Sequence, residues 1–122
     1  MEPRGESRHQ VTLGVRAWHV ETIWEAARGL PVESTPLDGL KEIDEDCWFS
    51  GGPATVRAVA DHARRIDVAN LDLPVILASD GQVLDGLHRI AKAVLLGRST
   101  VLAQRLPVDP EPDWLVKERP QA

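Results

Sequence analysis

Cysteine and aromatic residues are scarce in this 122-residue sequence, which has one cysteine, one phenylalanine and no tyrosine. A single thiol, Cys47, cannot form an intramolecular disulfide, and with four scattered histidines it cannot build a structural zinc site. We therefore expect a reducing, cytoplasmic location. No stretch approaches the roughly 18 apolar residues of a membrane span, so we expect neither a signal peptide nor membrane insertion.

Positive charge is also in short supply. Fourteen Lys and Arg residues stand against nineteen Asp and Glu residues, which gives a net charge of −5. The overall field therefore repels polyanions, and duplex DNA is a disfavoured partner. A local basic cluster can still bind one small anion, because salt screens charges beyond roughly 8 Å. The charge argues against nucleic acid and leaves nucleotides open.

The length and the 43% hydrophobic content fit a single domain with its own core. Residues 1–15 are predicted to be a polar N-terminal tail, and residues 109–122, with three prolines, a Pro-rich C-terminal tail. Trp114 could pin that second tail to the body of the protein. The domain itself is expected over residues 16–108.

Apolar spacing and turn residues predict a series of short elements between the tails. Helices are predicted at residues 18–28, 54–66 and 86–96, strands at 30–37, 73–78, 82–84 and 100–106, and a helical turn at 38–43. Asp80-Gly81 predicts a two-residue hairpin turn between the middle strands. The element order predicts an α+β domain with a small mixed β-sheet packed with helices.

The sharpest local feature is Asp85-Gly86-Leu87-His88-Arg89, where a strand is predicted to end and a helix to begin. A helix start exposes unpaired backbone N–H groups, and an arginine offers a planar fork of donors that suits phosphate. This turn is therefore a candidate anion site. Asp85 could cap the helix or hold a metal ion. Ordinary capping and exposed side chains would explain the same residues.

Residues 73–106 resemble the end of the ParB and sulfiredoxin superfamily domain. The strand Leu73-Pro74-Val75-Ile76-Leu77, the Asp80-Gly81 hairpin, the turn at 85–89, a helix ending at Gly97 and a last strand follow in the family's order. Weaker upstream similarity extends the resemblance to about residues 30–106. It implies a ParB N-terminal-domain or sulfiredoxin-like fold.

The resemblance also implies a nucleotide, ATP or CTP as a di- or triphosphate, bound with Mg²⁺ over the helix start. Carried over to this sequence, Gly86, His88 and Arg89 would contact the phosphates, and Asp85 would hold the metal ion. Arg65, on the preceding helix, is a further candidate for the phosphates. The other polar residues of that helix, including His62, are predicted to be simple surface.

One departure from the family narrows the chemistry. Sulfiredoxins have a cysteine nucleophile before the histidine of the turn, whereas this chain has Leu87, whose side chain has no nucleophilic atom. Sulfinic acid repair is therefore excluded. Cys47 is expected to be a small packed hydrophobe rather than a substitute.

Glu45 and Asp46 lie where serine kinases of this superfamily carry a catalytic carboxylate, so either could act as a general base. His88 would then stabilise the developing charge. The alternative is that these residues belong to a solvated acidic loop at residues 42–46 that has no catalytic role.

Three functions follow, in order of preference. The first is phosphate transfer from ATP or a related nucleotide to a small hydroxyl substrate, the second a non-catalytic nucleotide-sensing or interaction module, and the third a ParB-like DNA-binding or nuclease domain.

Trp18 and Trp24 cannot share one narrow helical stripe. One of the two indoles is therefore expected to cover a second subunit in a homodimer or to pack under the C-terminal tail.

Overall fold

A computed structural model describes residues 10–116, and its central element is a four-stranded mixed sheet. The strands are β3 (Glu33–Pro36), β4 (Val75–Leu77), β5 (Val83–Asp85) and β6 (Thr100–Arg105), in the spatial order β3-β6-β4-β5. β4 runs parallel to β6, and the other two neighbouring pairs are antiparallel. The α+β class and the mixed sheet predicted from the sequence are confirmed.

Three helices accompany this sheet: α1 (Val20–Ala27), α2 (Val56–Val68) and α3 (Leu87–Leu95). In place of the single predicted turn at residues 38–43, two short 3₁₀ helices occupy Leu37–Gly39 and Lys41–Asp44. None of the helices within residues 10–116 has the length and apolar character needed to cross a membrane.

The two faces of the sheet bury two separate apolar cores. Successive side chains of a strand face opposite sides, so Ile76 of β4 joins the core beside α1 while Val75 and Leu77 join the core beside α3. Gln104 of β6 is also buried, and its side-chain amide donates to the carbonyls of Ala27 and Leu30. It thereby satisfies carbonyl groups at and beyond the end of α1.

Helices α2 and α3 pack against each other, although no side chain of α2 is fully buried. Thr55 caps α2, because its hydroxyl accepts a hydrogen bond from the Ala58 N–H at 3.1 Å. At the other end of α2, the Lys92 ammonium donates to the carbonyls of Asp67 and Ala69 at 2.7 and 2.9 Å. Lys92 therefore fastens α3 to the end of α2.

A second sheet, which the sequence did not predict, joins the two ends of the described chain. Its strands are β1 (Gln10–Leu13), β2 (Arg16–His19) and β7 (Trp114–Leu115), all antiparallel, with β2 in the centre. Residues 10–15, predicted to be part of a tail, thus form the first strand and the turn of a hairpin. The missed signal was Gly14, which supplies the positive φ of the two-residue turn.

The C-terminal segment is docked by specific hydrogen bonds. The indole of Trp18, which is fully buried, donates to the Pro110 carbonyl at 3.0 Å. Asp113 accepts from the His19 N–H and the Thr22 hydroxyl at the start of α1. These contacts correct the prediction that Trp18 lies in a helix, because it belongs to β2. Residues 1–9 and 117–122, the outer parts of the tails predicted at 1–15 and 109–122, lie outside the described residues.

The hairpin between β4 and β5 has a three-residue loop, not the predicted two-residue turn. Ala78 O accepts from the Gly81 N–H at 2.9 Å, and the Ala78 N–H donates to Gln82 O at 2.7 Å. Gly81 has a φ of +92°, which is typical of the glycine that ends such a loop with a bulge. The predicted position of the turn is confirmed, and its predicted length is wrong by one residue.

Gly86 is the position where the main chain passes from β5 into α3. Its φ is +115°, and a Cβ atom there would lie 2.5 Å from Val75 Cγ1. The backbone at the start of α3 therefore touches β4 directly, and only glycine allows this contact.

We expect Gly86→Ala to lower the free energy of unfolding by about 3 kcal/mol, because it adds an overlap to an unfavourable φ. Gly97→Ala is the matched control, since Gly97 also has a positive φ, +73°, but no atom within 4 Å of the added methyl. It should cost only about 1 kcal/mol. Urea denaturation monitored by circular dichroism measures both. Equal losses would contradict the close-contact account.

Candidate functional site

The candidate site is the start of α3, and Arg89 is its most deeply buried residue. The side chain of Arg89 is only 5% exposed. Its Nη1 donates to the Pro74 carbonyl at 3.1 Å, and its Nη2 lies 3.9 Å from Asp85 Oδ2. The contact of this guanidinium with phosphates stays a prediction. The hydrogen bond to Pro74 gives Arg89 a structural role, because it joins α3 to the beginning of β4.

Asp85 lies beside Arg89 and reaches to the opposite side of the sheet. Its Oδ2 accepts a hydrogen bond from the Trp24 indole at 3.0 Å. The capping alternative for Asp85 is therefore not what the structure has, since Gly86 is the N-cap and no side chain caps α3. Trp24, which the sequence did not connect with the site, links α1 to it.

Residues 10–116 contain no group of three or more His, Cys, Asp or Glu side chains that could hold a metal ion. Mg²⁺ does not need such a group, because it commonly binds through one or two carboxylates together with substrate phosphates. Asp85 offers one carboxylate of this kind. Its role as a metal ligand stays a prediction.

His88 takes part in a cluster of four rings drawn from three separate segments. Its Nε2 lies 2.8 Å from Nδ1 of His62 on α2. The indole of Trp48 stacks on both imidazoles, with ring centroids 4.5 Å from His62 and 4.8 Å from His88. Phe49 meets His62 edge to face at 5.4 Å. We call Trp48, Phe49, His62 and His88 the ring cluster.

The prediction that His62 is simple surface is wrong. Its ring is half-buried, and this burial lowers its pKa below the ordinary histidine value, as does the nearby Arg65 guanidinium. Asp61 acts in the opposite direction. One available signal was the Trp48-Phe49 pair, since adjacent aromatic residues in a Gly- and Pro-rich loop need a surface to pack on.

Arg65 is on the same helix as His62, and its guanidinium lies 3.4 Å from Asp61 Oδ2. Its side chain is 39% exposed, so the ion pair is a weak surface contact. The position next to the ring cluster is compatible with the predicted phosphate contact, which stays a prediction.

Three carboxylates of the acidic loop, those of Glu42, Glu45 and Asp46, have three different environments. Oδ1 of Asp46 accepts from the backbone N–H groups of Trp48 and Phe49, at 3.2 and 2.8 Å, so this carboxylate shapes the segment that carries the rings. Glu45 is exposed. Glu42 instead reaches the sheet, where its Oε2 accepts from the Val83 N–H at 2.8 Å. Its Oε1 is buried and has no hydrogen-bond partner among residues 10–116.

Cys47 is exposed, not packed as the sequence analysis expected. Its thiol lies 3.7 Å from the Glu42 carbonyl. Partial burial of the sulfur raises the pKa of Cys47, and the carboxylates of Glu42, Glu45 and Asp46 raise it further because they repel a thiolate. The thiol is therefore a poor nucleophile near neutral pH.

Comparisons of the chain with models of known protein families, with curated proteins and with solved structures found no match.

We expect Arg89→Ala to lower the free energy of unfolding by about 3 kcal/mol, because it leaves the Pro74 carbonyl without its charged donor and removes a buried side chain. Arg98→Ala, at an exposed arginine just after α3, should change stability by no more than about 0.5 kcal/mol. Urea denaturation compares the two. A stable Arg89→Ala protein would show that the inward guanidinium contributes little to the fold.

We expect iodoacetamide to alkylate Cys47 at pH 8 at least about threefold more slowly in the native protein than in urea, because the raised pKa reduces the thiolate fraction. Mass spectrometry of quenched samples gives both rates. Glu45→Gln removes one repelling charge and should accelerate the native reaction. Faster alkylation of the native thiol than of the unfolded one would contradict the assigned pKa direction.

Proposed function

We propose that this chain is a nucleotide-binding domain of the ParB and sulfiredoxin type, which transfers phosphate from ATP or a related nucleotide to a small hydroxyl substrate. The observation that carries the proposal is the ring cluster at the start of α3. Trp48, His62 and His88 come from three distant segments and meet where the resemblance puts the phosphates. Aromatic surfaces and imidazoles beside a helix start are suited to a base and its phosphates.

The roles divide among the residues around the turn. Gly86 keeps the backbone close to β4, so the first N–H groups of α3 can be presented to an anion. His88 and Arg65 would contact phosphate oxygens, and Asp85 would hold Mg²⁺. Arg89 would act mainly by fixing the start of α3, with its phosphate contact as a secondary role.

A non-catalytic nucleotide sensor is the second candidate, and one observation favours it. Of the two predicted bases, Asp46 is engaged by two backbone N–H groups of its own loop, and Glu45 is exposed. A sensor would bind the same nucleotide and release no product. Binding and product formation therefore have to be measured separately.

We expect isothermal titration calorimetry to detect binding of Mg·ATP or Mg·CTP, and His88→Ala to weaken it at least tenfold, about 1.4 kcal/mol. His19→Ala is the matched control, because His19 is an exposed histidine that contacts Trp114 and lies outside the ring cluster. Its affinity should equal that of the wild type.

Equal weakening by both histidine variants would remove the start of α3 as the binding site. Absence of binding at millimolar nucleotide would overturn the proposed function. Product formation is followed with γ-labelled ATP and serine or threonine as hydroxyl acceptors. Binding without any labelled product or released phosphate would favour the sensor.

A further inference from the structure

The two imidazoles of the ring cluster share one hydrogen bond, and this restricts their protonation. His62 Nδ1 and His88 Nε2 are 2.8 Å apart, so one of the two nitrogens must carry a proton and the other must not. Two protonated rings would place two N–H groups against each other. The hydrogen bond therefore holds a single proton between the rings, which excludes a doubly charged pair and allows at most one of the two rings to be an imidazolium.

The other nitrogen of His62 is directed away from this bond. Nε2 of His62 makes no hydrogen bond to any residue within 10–116, and the ring is half-buried. The indole of Trp48 lies across both imidazoles at interplanar angles of 17° and 10°. The stacking fixes the plane of the pair, and therefore the direction in which Nε2 can accept a proton.

We infer that His62 and His88 form an acid–base pair, in which His62 Nε2 accepts the proton of a ligand hydroxyl and His88 is the positioning residue that fixes the tautomer of His62. This inference rests on the proposed function, because it names the proton acceptor for that reaction. It assigns to His62 the task that the sequence analysis gave to Glu45 or Asp46.

The charged groups around the pair leave His62 neutral and able to accept a proton near neutral pH. On α2, burial and Arg65 lower the pKa of His62 and Asp61 opposes them. Asp46 in the loop accepts hydrogen bonds from backbone N–H groups, and Asp85 in β5 accepts a hydrogen bond from the Trp24 indole. From α3, the Arg89 guanidinium is directed inward to Pro74.

The proton transfer has a simple balance. The hydroxyl proton moves to His62 Nε2 while the hydroxyl oxygen forms a bond to the γ-phosphorus of the nucleotide. The bond from that phosphorus to the bridging oxygen breaks, and its electron pair leaves on the nucleoside diphosphate. The imidazolium of His62 then donates through Nδ1 to His88 Nε2 and loses its extra proton to water.

Nitrogen-15 NMR of the imidazoles tests the pair without any ligand. We expect the neutral His62 ring to be protonated at Nδ1 and its pKa to lie below the ordinary histidine value. His88→Gln should preserve this tautomer, because the amide oxygen can accept the same bond, whereas His88→Leu should shift His62 towards the Nε2-protonated form. A wild-type His62 protonated at Nε2 overturns the inference and leaves the proposed function standing.

Single-turnover assays with Mg·ATP or Mg·CTP and serine or threonine test the chemistry. We expect His62→Gln to reduce release of the nucleoside diphosphate by about 10²-fold, with the nucleotide Kd unchanged within about twofold. His19→Gln is the control and should leave both unchanged. The wild-type rate should fall as pH drops through the pKa of His62, and His88→Leu should alter that profile while His88→Gln restores it.

The outcomes separate the two proposals. Nucleotide binding with equal product release in wild type and His62→Gln overturns the inference alone. Nucleotide binding with no product release from the wild type also overturns it and leaves a sensor. Absence of nucleotide binding overturns the proposed function, and with it the assignment of a ligand proton to His62.

Discussion

The inward guanidinium of Arg89 is the contact on which the geometry of the candidate site depends. It joins the Pro74 carbonyl at the entry of β4 to the first turn of α3, over a glycine that has no room for a side chain. A buried cation with a fixed fork of donors tolerates little movement of its partners. The orientation of α3, and with it the position of His88, therefore follows from an interaction inside the domain and not from the exposed groups of the turn.

The ring cluster adds a second constraint, because it requires two helices and a loop to hold their positions together. Lys92 follows His88 by four residues on α3, so both side chains face α2, and Lys92 fastens the end of that helix while His88 meets its middle. Asp46 organises the loop that brings Trp48 over the imidazoles. His88 reaches the cluster because α3 packs on β4 and β6 of the sheet.

Local signals were sufficient for most of the central sheet and all three helices. Apolar spacing located α2 and α3, and Gly97 ends α3 as predicted, with the Arg98 N–H bonded to the Ala93 carbonyl. The second sheet was missed, because β7 has two residues and its pairing with β2 depends on contacts almost a hundred residues apart. The sequence located the strand-to-helix turn at Gly86, and it singled out His88 for a role that stays a prediction. It could not show that Arg89 points inward or that His62 lies beside His88, since both depend on how α3 packs against its neighbours.

The docking of residues 109–116 on the N-terminal hairpin has a consequence for the order of folding. Trp18 donates to Pro110 across 92 positions of sequence, and Asp109 joins Arg16 to the Ser79 N–H. During synthesis, the hairpin is made before residues 109–116, so the hydrogen bond of its indole to Pro110 cannot form until that later segment has left the ribosome. The hairpin, which precedes the other described elements in sequence, is thus among the last of them to reach its native environment. Such long-range closure slows folding, since loop-closure entropy is lost before the contacts form.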